Sequence, residues 1–127
     1  MKTAEDVESY LIRMEAEYEL VGKNIWLVKD TGPGLVVSIV DPVVVLRVKI
    51  IEVDKISPEN REKLYKTLLE FNAAEMLHGA YGLEEGAVVL TDALQLENLD
   101  FNEFQAAMDD IGMAVARHYA TLSRLAA

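Results

Sequence analysis

The sequence predicts an α+β domain, in which helices pack on an antiparallel β-sheet in the order α-β-β-β-β-α-β-β-α. Three observations lead to this fold class. Residues 100–125 carry apolar side chains at alternating spacings of three and four, which is typical of an amphipathic helix. Runs rich in β-branched residues follow one another across short turns, which favours antiparallel pairing. Helical patterns occur only at the two ends and in the middle of the chain.

The first half of the chain is predicted to form one helix and four strands. The helix begins after Thr3, a residue type that caps helices, and runs to about Glu17. The turn at residues 22–24 and the breaker at residues 31–34 separate the first strands from one another. The predicted strands are Glu19–Val21, Ile25–Val28, Leu35–Val40 and Val43–Val53.

The longest of these strands has two unequal faces, because side chains alternate along a strand. One row is apolar and is expected to face the helices: Val44, Leu46, Val48 and Ile50. The other row mixes valine with cations, so it is either a solvated sheet face or a contact surface for another protein. The candidate protein-binding residues on this second row are Val43, Val45, Arg47, Lys49 and Ile51.

The second half is predicted to form a helix, a hairpin and the long C-terminal helix. Ser57 and Pro58 are suited to the start of the middle helix, which should end near Leu77 and has a broad apolar stripe. Asp100 can cap the last helix, with Glu103 completing a capping box. The hairpin strands are Ala80–Leu83 and Ala87–Leu96, around an acidic turn with glycine.

Composition excludes several classes of protein. The net charge is −10, and residues 67–116 contain acidic side chains but no Lys or Arg, which disfavours nucleic acid and anionic membranes as partners. There is no cysteine and no long apolar run, and the polar start MKTAEDVESY is unlike a signal peptide. These features predict a cytoplasmic protein whose residues 1–127 form a single domain.

The residues that could carry chemistry form no recognisable catalytic pattern. No motif for a metal, a phosphate or a nucleophile is visible, so no catalytic, cofactor-binding or metal-binding residue is assigned, and no cofactor is predicted. His118 lies on the apolar seam of the last helix, where a core or interface role is expected. Two alternatives stay open: a small-molecule cleft near Trp26, Tyr81 and His118, and a minor enzyme built on Asp92 and His118.

Residues 68–111, LLEFNAAEMLHGAYGLEEGAVVLTDALQLENLDFNEFQAAMDDI, resemble the second half of a known superfamily. The pattern is an apolar helix end with asparagine, a strand with small residues, an acidic turn with glycine, a VVL-type strand and a Leu-Asp entry to the last helix. It resembles the bacterial YbjN-like and type III secretion chaperone-like (CesT/Tir chaperone-type) superfamily. The residues that carry the resemblance are Asn72, Gly79, Gly86, Val88–Leu90, Leu94, Leu96 and Leu99.

The resemblance implies a non-enzymatic module that binds other proteins. In this superfamily the secretion chaperones hold a segment of an unfolded effector on their surface, and the YbjN-like branch is described as regulatory or stress-linked. The expected function is therefore chaperone-like or adaptor-like, with a homodimer and an unidentified protein partner. The alternative function is a small-molecule sensor or regulatory domain with a ligand cleft between helix and sheet.

Overall fold

The computed structural model describes residues 1–126 and confirms the predicted order of helices and strands. Residue 127, the last of the predicted domain, lies outside the described residues. A single 3-10 turn, Val53–Lys55, joins the fourth strand to the middle helix. The elements are α1 Ala4–Arg13, β1 Tyr18–Gly22, β2 Ile25–Val28, β3 Leu35–Val40, β4 Val43–Glu52, α2 Pro58–Ala74, β5 Ala80–Glu84, β6 Ala87–Gln95 and α3 Phe101–Leu125.

The six strands form one antiparallel sheet in the order β1-β2-β3-β4-β6-β5. The hairpin between β5 and β6 turns through Glu85 and Gly86, both with positive φ, and such turns match the twist of the strands they join. Because β6 pairs with β4, the chain passes through α2 before β5 is added outside β6. The edges of the sheet are therefore β1 and β5.

The core lies between one face of the sheet and the helices. Val44, Leu46 and Val48 of β4 are fully buried, as their row predicts, whereas the alternate residues Val43 and Val45 are half-buried. The residues of α3 at alternating spacings of three and four complete the core. Phe101, the first of these eight residues, is half-buried, and the other seven are buried: Phe104, Met108, Ile111, Val115, His118, Leu122 and Leu125. The opposite face of the sheet carries no helix, so it stays available for contacts.

Two of the three predicted helix caps form as expected. At the start of α3, the Glu103 backbone N–H donates to Asp100 Oδ1 at 2.8 Å, within a complete capping box. Thr3 caps α1 in the same way, with Asp6 as the reciprocal partner. Ser57 occupies the cap position of α2 but makes no side-chain bond to the helix backbone.

Helix α1 ends at Arg13, four residues before the predicted end at Glu17. Glu15 adopts a left-handed φ of 59°, its N–H donates to the Ile12 carbonyl, and the Ala16 N–H donates to the Leu11 carbonyl. These two bonds form a Schellman motif, which satisfies the last carbonyls of a helix. Glycine usually occupies the left-handed position, so glutamate there gave no sequence signal for the end.

Gly79 allows β5 to approach β6 closely, and replacing it by alanine is expected to destabilise the protein by about 2 kcal/mol. Its φ is +77°, and a Cβ there would lie 2.6 Å from the Thr91 carbonyl oxygen. Gly82→Ala, three residues further on in β5, is the matched control because a Cβ there meets nothing within 4 Å. Urea unfolding measures both variants, and equal midpoints would contradict the prediction.

Candidate protein-binding surfaces

Four of the five predicted contact residues lie on the helix-free face of the sheet, which we call the outer sheet face. Val43, Val45 and Arg47 are half-buried there, and Lys49 is exposed. Val89 of β6 pairs directly with Lys49 and so belongs to the same face, yet it is only 6% exposed. The neighbouring side chains therefore already shield part of the apolar surface on this face.

Both cations of the outer sheet face are paired with glutamates. Arg47 forms an ion pair with Glu84 of the edge strand β5, and Lys49 forms one with Glu52. A small cavity of about 260 Å³ lies between these side chains. Exposed ion pairs contribute little to stability, but here they compensate the two positive charges locally. A partner would consequently contact a mixed surface of valines and neutralised ion pairs.

The fifth predicted residue, Ile51, lies on the opposite side of the sheet from Lys49. The pairing of β4 with β6 shifts between Lys49 and Ile51, so that Ile50 is the extra residue of a β-bulge. Ile51 is paired with the fully buried Val88 and packs against the core. Its placement on the outer sheet face was wrong, because a bulge reverses the alternation beyond it.

A second candidate surface, which we call the α2–β5 face, lies where α2 packs against the edge strand β5. Only Leu64 and Leu68 of this 17-residue helix are buried. Leu69 is 68% exposed, Leu77, just beyond the helix, is 86% exposed, and Leu83 of β5 is 55% exposed. An exposed apolar surface that is formed by a helix together with a sheet edge is a common site of protein association.

Two hydrogen bonds between α2 and β5 fix the geometry of the α2–β5 face. The Asn72 side chain on α2 accepts the Tyr81 N–H at 2.7 Å and donates to the Tyr81 carbonyl at 3.1 Å. The amide thus takes the role of a pairing strand for one residue of β5. The sequence predicts a broad apolar stripe on α2, but a stripe alone does not reveal that one of its residues, Leu69, stays uncovered.

His118 is buried at the junction of α2, β5 and α3. Its ring stacks on Phe71 with centroids 3.7 Å apart, and its Nδ1 lies 2.7 Å from the Tyr81 hydroxyl. Its Nε2 faces Glu75 Oε2 at 3.5 Å. Burial raises the pKa of Tyr81 to about 12, with a further contribution from Glu75, so the phenol stays protonated at pH 7. Because the Glu75 carboxylate faces Nε2, the tautomer with a proton on Nε2 is favoured, and Nδ1 then accepts from the Tyr81 hydroxyl.

Burial lowers the pKa of His118 below its usual value, and the charge of Glu75 opposes this shift only in part. The imidazole is therefore neutral at pH 7, with its proton on Nε2 toward Glu75. This arrangement joins three elements of the core: Nδ1 is hydrogen-bonded to Tyr81, whereas Nε2 lies near Glu75 without a hydrogen bond. Its geometry fits the structural role expected for a histidine on the helix seam.

The structure separates the residues of both alternative sites. Trp26 lies on β2 and Tyr81 on β5, four strand intervals apart in the sheet, or roughly 19 Å. Asp92 accepts the Ala93 N–H and lies 4.0 Å from His78, whereas His118 contacts Tyr81. Burial raises the pKa of Asp92, but this carboxylate shares no contact with His118 among those of the described residues.

A cavity of about 1020 Å³ lies along the side of α3 that faces away from α2. It is bounded by α3, by the end of α1 and by the turn between β2 and β3, and we call it the α3 groove.

Within residues 1–126, no group of three or more His, Cys, Asp or Glu side chains could hold a metal ion. None of the helices in that range combines the length and apolarity needed to cross a bilayer.

Comparisons with known proteins agree with the fold. The family model CesT_Tir_1 matches residues 1–127. No curated protein matches the sequence. One similar solved structure is YbjN from E. coli, with a TM-score of 0.68 and 11% sequence identity, covering 94% of this chain and 93% of that chain.

Two further similar structures are complexes of type III secretion. The ExoU-SpcU heterodimer from Pseudomonas aeruginosa contains a chain that matches with a TM-score of 0.69 and 13% identity, covering 87% of this chain and 93% of that one. The Yersinia pestis secretion chaperone SycH, solved with a bound protein fragment, matches with a TM-score of 0.61 and 14% identity over 90% and 97% of the two chains. At such low identity, these likenesses establish the fold alone.

Proposed function

The chain belongs to the CesT_Tir_1 family, and from this premise we propose that it is a non-enzymatic protein-binding module that acts as a homodimer. In this proposal residues 1–127 work as one chaperone-like or adaptor domain in the cytoplasm. The similar structures that contain a second protein, ExoU-SpcU and the SycH complex, support a protein partner for this chain as well. In this proposal the bound partner is a polypeptide and not a metabolite, because Trp26 and Tyr81, two of the three predicted ligand residues, lie on distant strands.

The observation that carries the proposal is the uncovered apolar surface of the α2–β5 face. A monomer would leave Leu69 and Leu77 in water beside an unpaired strand edge, whereas a second copy could cover both across a two-fold axis. Light scattering at concentrations down to about 1 μM tests self-association, since a contact weaker than roughly −8 kcal/mol dissociates there. A wild-type protein that is monomeric at all concentrations would refute the homodimer.

The outer sheet face is proposed as the surface that contacts the partner, and the double variant Val43→Asp with Val45→Asp tests it. These two residues are half-buried and project away from the core, so the fold should be retained, with an unchanged far-ultraviolet spectrum. We expect at least fivefold weaker binding of reduced, alkylated ribonuclease A, an unfolded basic chain, because two carboxylates disrupt apolar contacts.

Ile51→Asp is unsuitable for this purpose because Ile51 packs against the core. The matched control is Ile12→Asp with Ala106→Asp, which adds the same charge at exposed helix positions. Isothermal calorimetry compares the two double variants with the wild type. Equal affinities for both would show that the outer sheet face is only solvated.

A further inference from the structure

We propose that the α3 groove binds an apolar polypeptide segment that carries a lysine or arginine. This inference rests on the proposed function, because it names the kind of segment that the module would hold. The groove lies on the side of α3 away from α2, so it is separate from the α2–β5 face. An occupant of the groove and a second copy on α2 could therefore bind at the same time.

The groove has an apolar floor with adaptable walls. Val28, Met108 and Val115 form buried parts of the floor, and each is less than 9% exposed. Met14 and the 58%-exposed Met113 lie at its sides. Methionine side chains are flexible and polarisable, so a surface rich in them can fit partners of differing shape. This lining favours an aliphatic or aromatic segment whose exact sequence can vary.

The charge of the groove determines which apolar segments fit it. Asp30 and Asp109 line the groove, and the part of the chain that the structure describes provides neither with an ion-pair partner. No basic side chain is among the described lining residues. Charges at a rim contribute modestly to affinity but select the sign of the partner. The complementary occupant is an apolar segment with a cationic side chain, and an acidic segment would be repelled.

Gly112 provides independent support, because it is a glycine in the middle of a 25-residue helix. Glycine is unfavourable in a helix interior relative to alanine. Nothing in the protein itself requires it, since its backbone is helical and a Cβ would meet no atom within 4 Å. Its position on the lining means that a missing side chain keeps the groove open. We infer that this open space allows a bound backbone to approach α3 closely.

The test measures binding of a fluorescein-labelled synthetic 14-residue peptide of leucine and lysine by fluorescence anisotropy. Gly112→Leu should place a side chain in the groove, weaken peptide binding at least tenfold and leave the Tm unchanged or higher. Asp30→Asn with Asp109→Asn should weaken binding several-fold. A peptide of leucine and glutamate with the same spacing should bind the wild type at least tenfold more weakly than the lysine peptide.

The controls distinguish an error in the assignment of the groove from an error in the proposed function. Ala106→Leu adds the same side chain at an exposed position of α3 outside the groove, and Glu62→Gln removes a remote charge. Full peptide binding by Gly112→Leu, with the wild type still binding unfolded ribonuclease A, would overturn the groove assignment alone. A wild type that binds neither the lysine peptide nor the ribonuclease would overturn the proposed function. Equal affinity for the two peptides would overturn the charge selection.

Discussion

Replacing Leu69 and Leu77 by glutamate is expected to convert the proposed homodimer into a monomer. Each leucine is more than half exposed in the single chain, so substitution removes little from the core. Burying a leucine in an interface contributes about 1.5–3 kcal/mol, and a two-fold contact contains both leucines from each copy, so the double substitution removes about 6 kcal/mol or more. Because about 1.4 kcal/mol corresponds to a tenfold change, the dissociation constant should rise at least a thousandfold.

Light scattering against concentration measures this effect, with the far-ultraviolet spectrum as the test of folding. The matched control is Ile12→Glu with Leu20→Glu, which charges two similarly exposed residues outside the α2–β5 face. That variant should remain dimeric. A Leu69→Glu, Leu77→Glu variant that keeps the mass of the wild-type dimer would place the two-fold contact elsewhere.

Truncating His118 to alanine is expected to cost about 3 kcal/mol of the free energy of unfolding. The change removes a buried ring stacked on Phe71 and leaves the Tyr81 hydroxyl without its 2.7 Å partner. Aromatic truncation in a core typically costs about 3–5 kcal/mol, and an orphaned buried hydroxyl about 1–3 kcal/mol, although local collapse recovers part of the loss. Denaturant unfolding at pH 7.5 measures the difference.

His118 also predicts how stability depends on pH. Its folded pKa is lowered, so between that pKa and the ordinary value of 6.5 the unfolded chain binds a proton that the folded chain excludes. Stability should therefore fall as the pH drops below about 6.5. The charged groups beside His118 are Glu75 and Arg117. Tyr81, whose pKa is raised to about 12, does not titrate in this window.

The control for the pH effect is His118→Phe, which retains a ring but cannot be protonated. Between pH 7.5 and 5.5 the wild type should lose more stability than this variant does. Asp92 works in the opposite direction, because its raised pKa means that the folded chain takes up a proton first as the pH falls. Parallel pH profiles for the wild type and His118→Phe would contradict the assignment.

The sequence predicted the class and order of the elements because local patterns determine them. Alternation marked the buried row of β4, and spacings of three and four marked the seam of α3. The ends of helices α1 and α2 were predicted less accurately than the presence of these helices. The left-handed Glu15 ended α1 early, and α2 ends at Ala74 although its apolar pattern continues to Leu77. At Glu15 the helix ends in a local Schellman motif that lacks the usual glycine.

The candidate surfaces were predictable only in part. Four of the five chosen residues of β4 lie on the outer sheet face, but periodicity alone could not reveal the bulge that moves Ile51. The exposure of Leu69 depends on how α2 packs against β5. The hydrogen bonds between Asn72 and the backbone of Tyr81 hold α2 in that position. The α3 groove unites residues from three separate parts of the chain, which no local pattern brings together.

The bulge in β4 also determines where this strand can change in length. Ile50 is the unpaired residue between Lys49 and Ile51, so deleting it would join two segments whose side chains already point the correct way. Removal of any residue before Lys49 would instead turn the buried row toward water. An insertion or deletion in the centre of the sheet is therefore compatible with the fold at one position. Alignments of this strand with other chains should place their gap at Ile50.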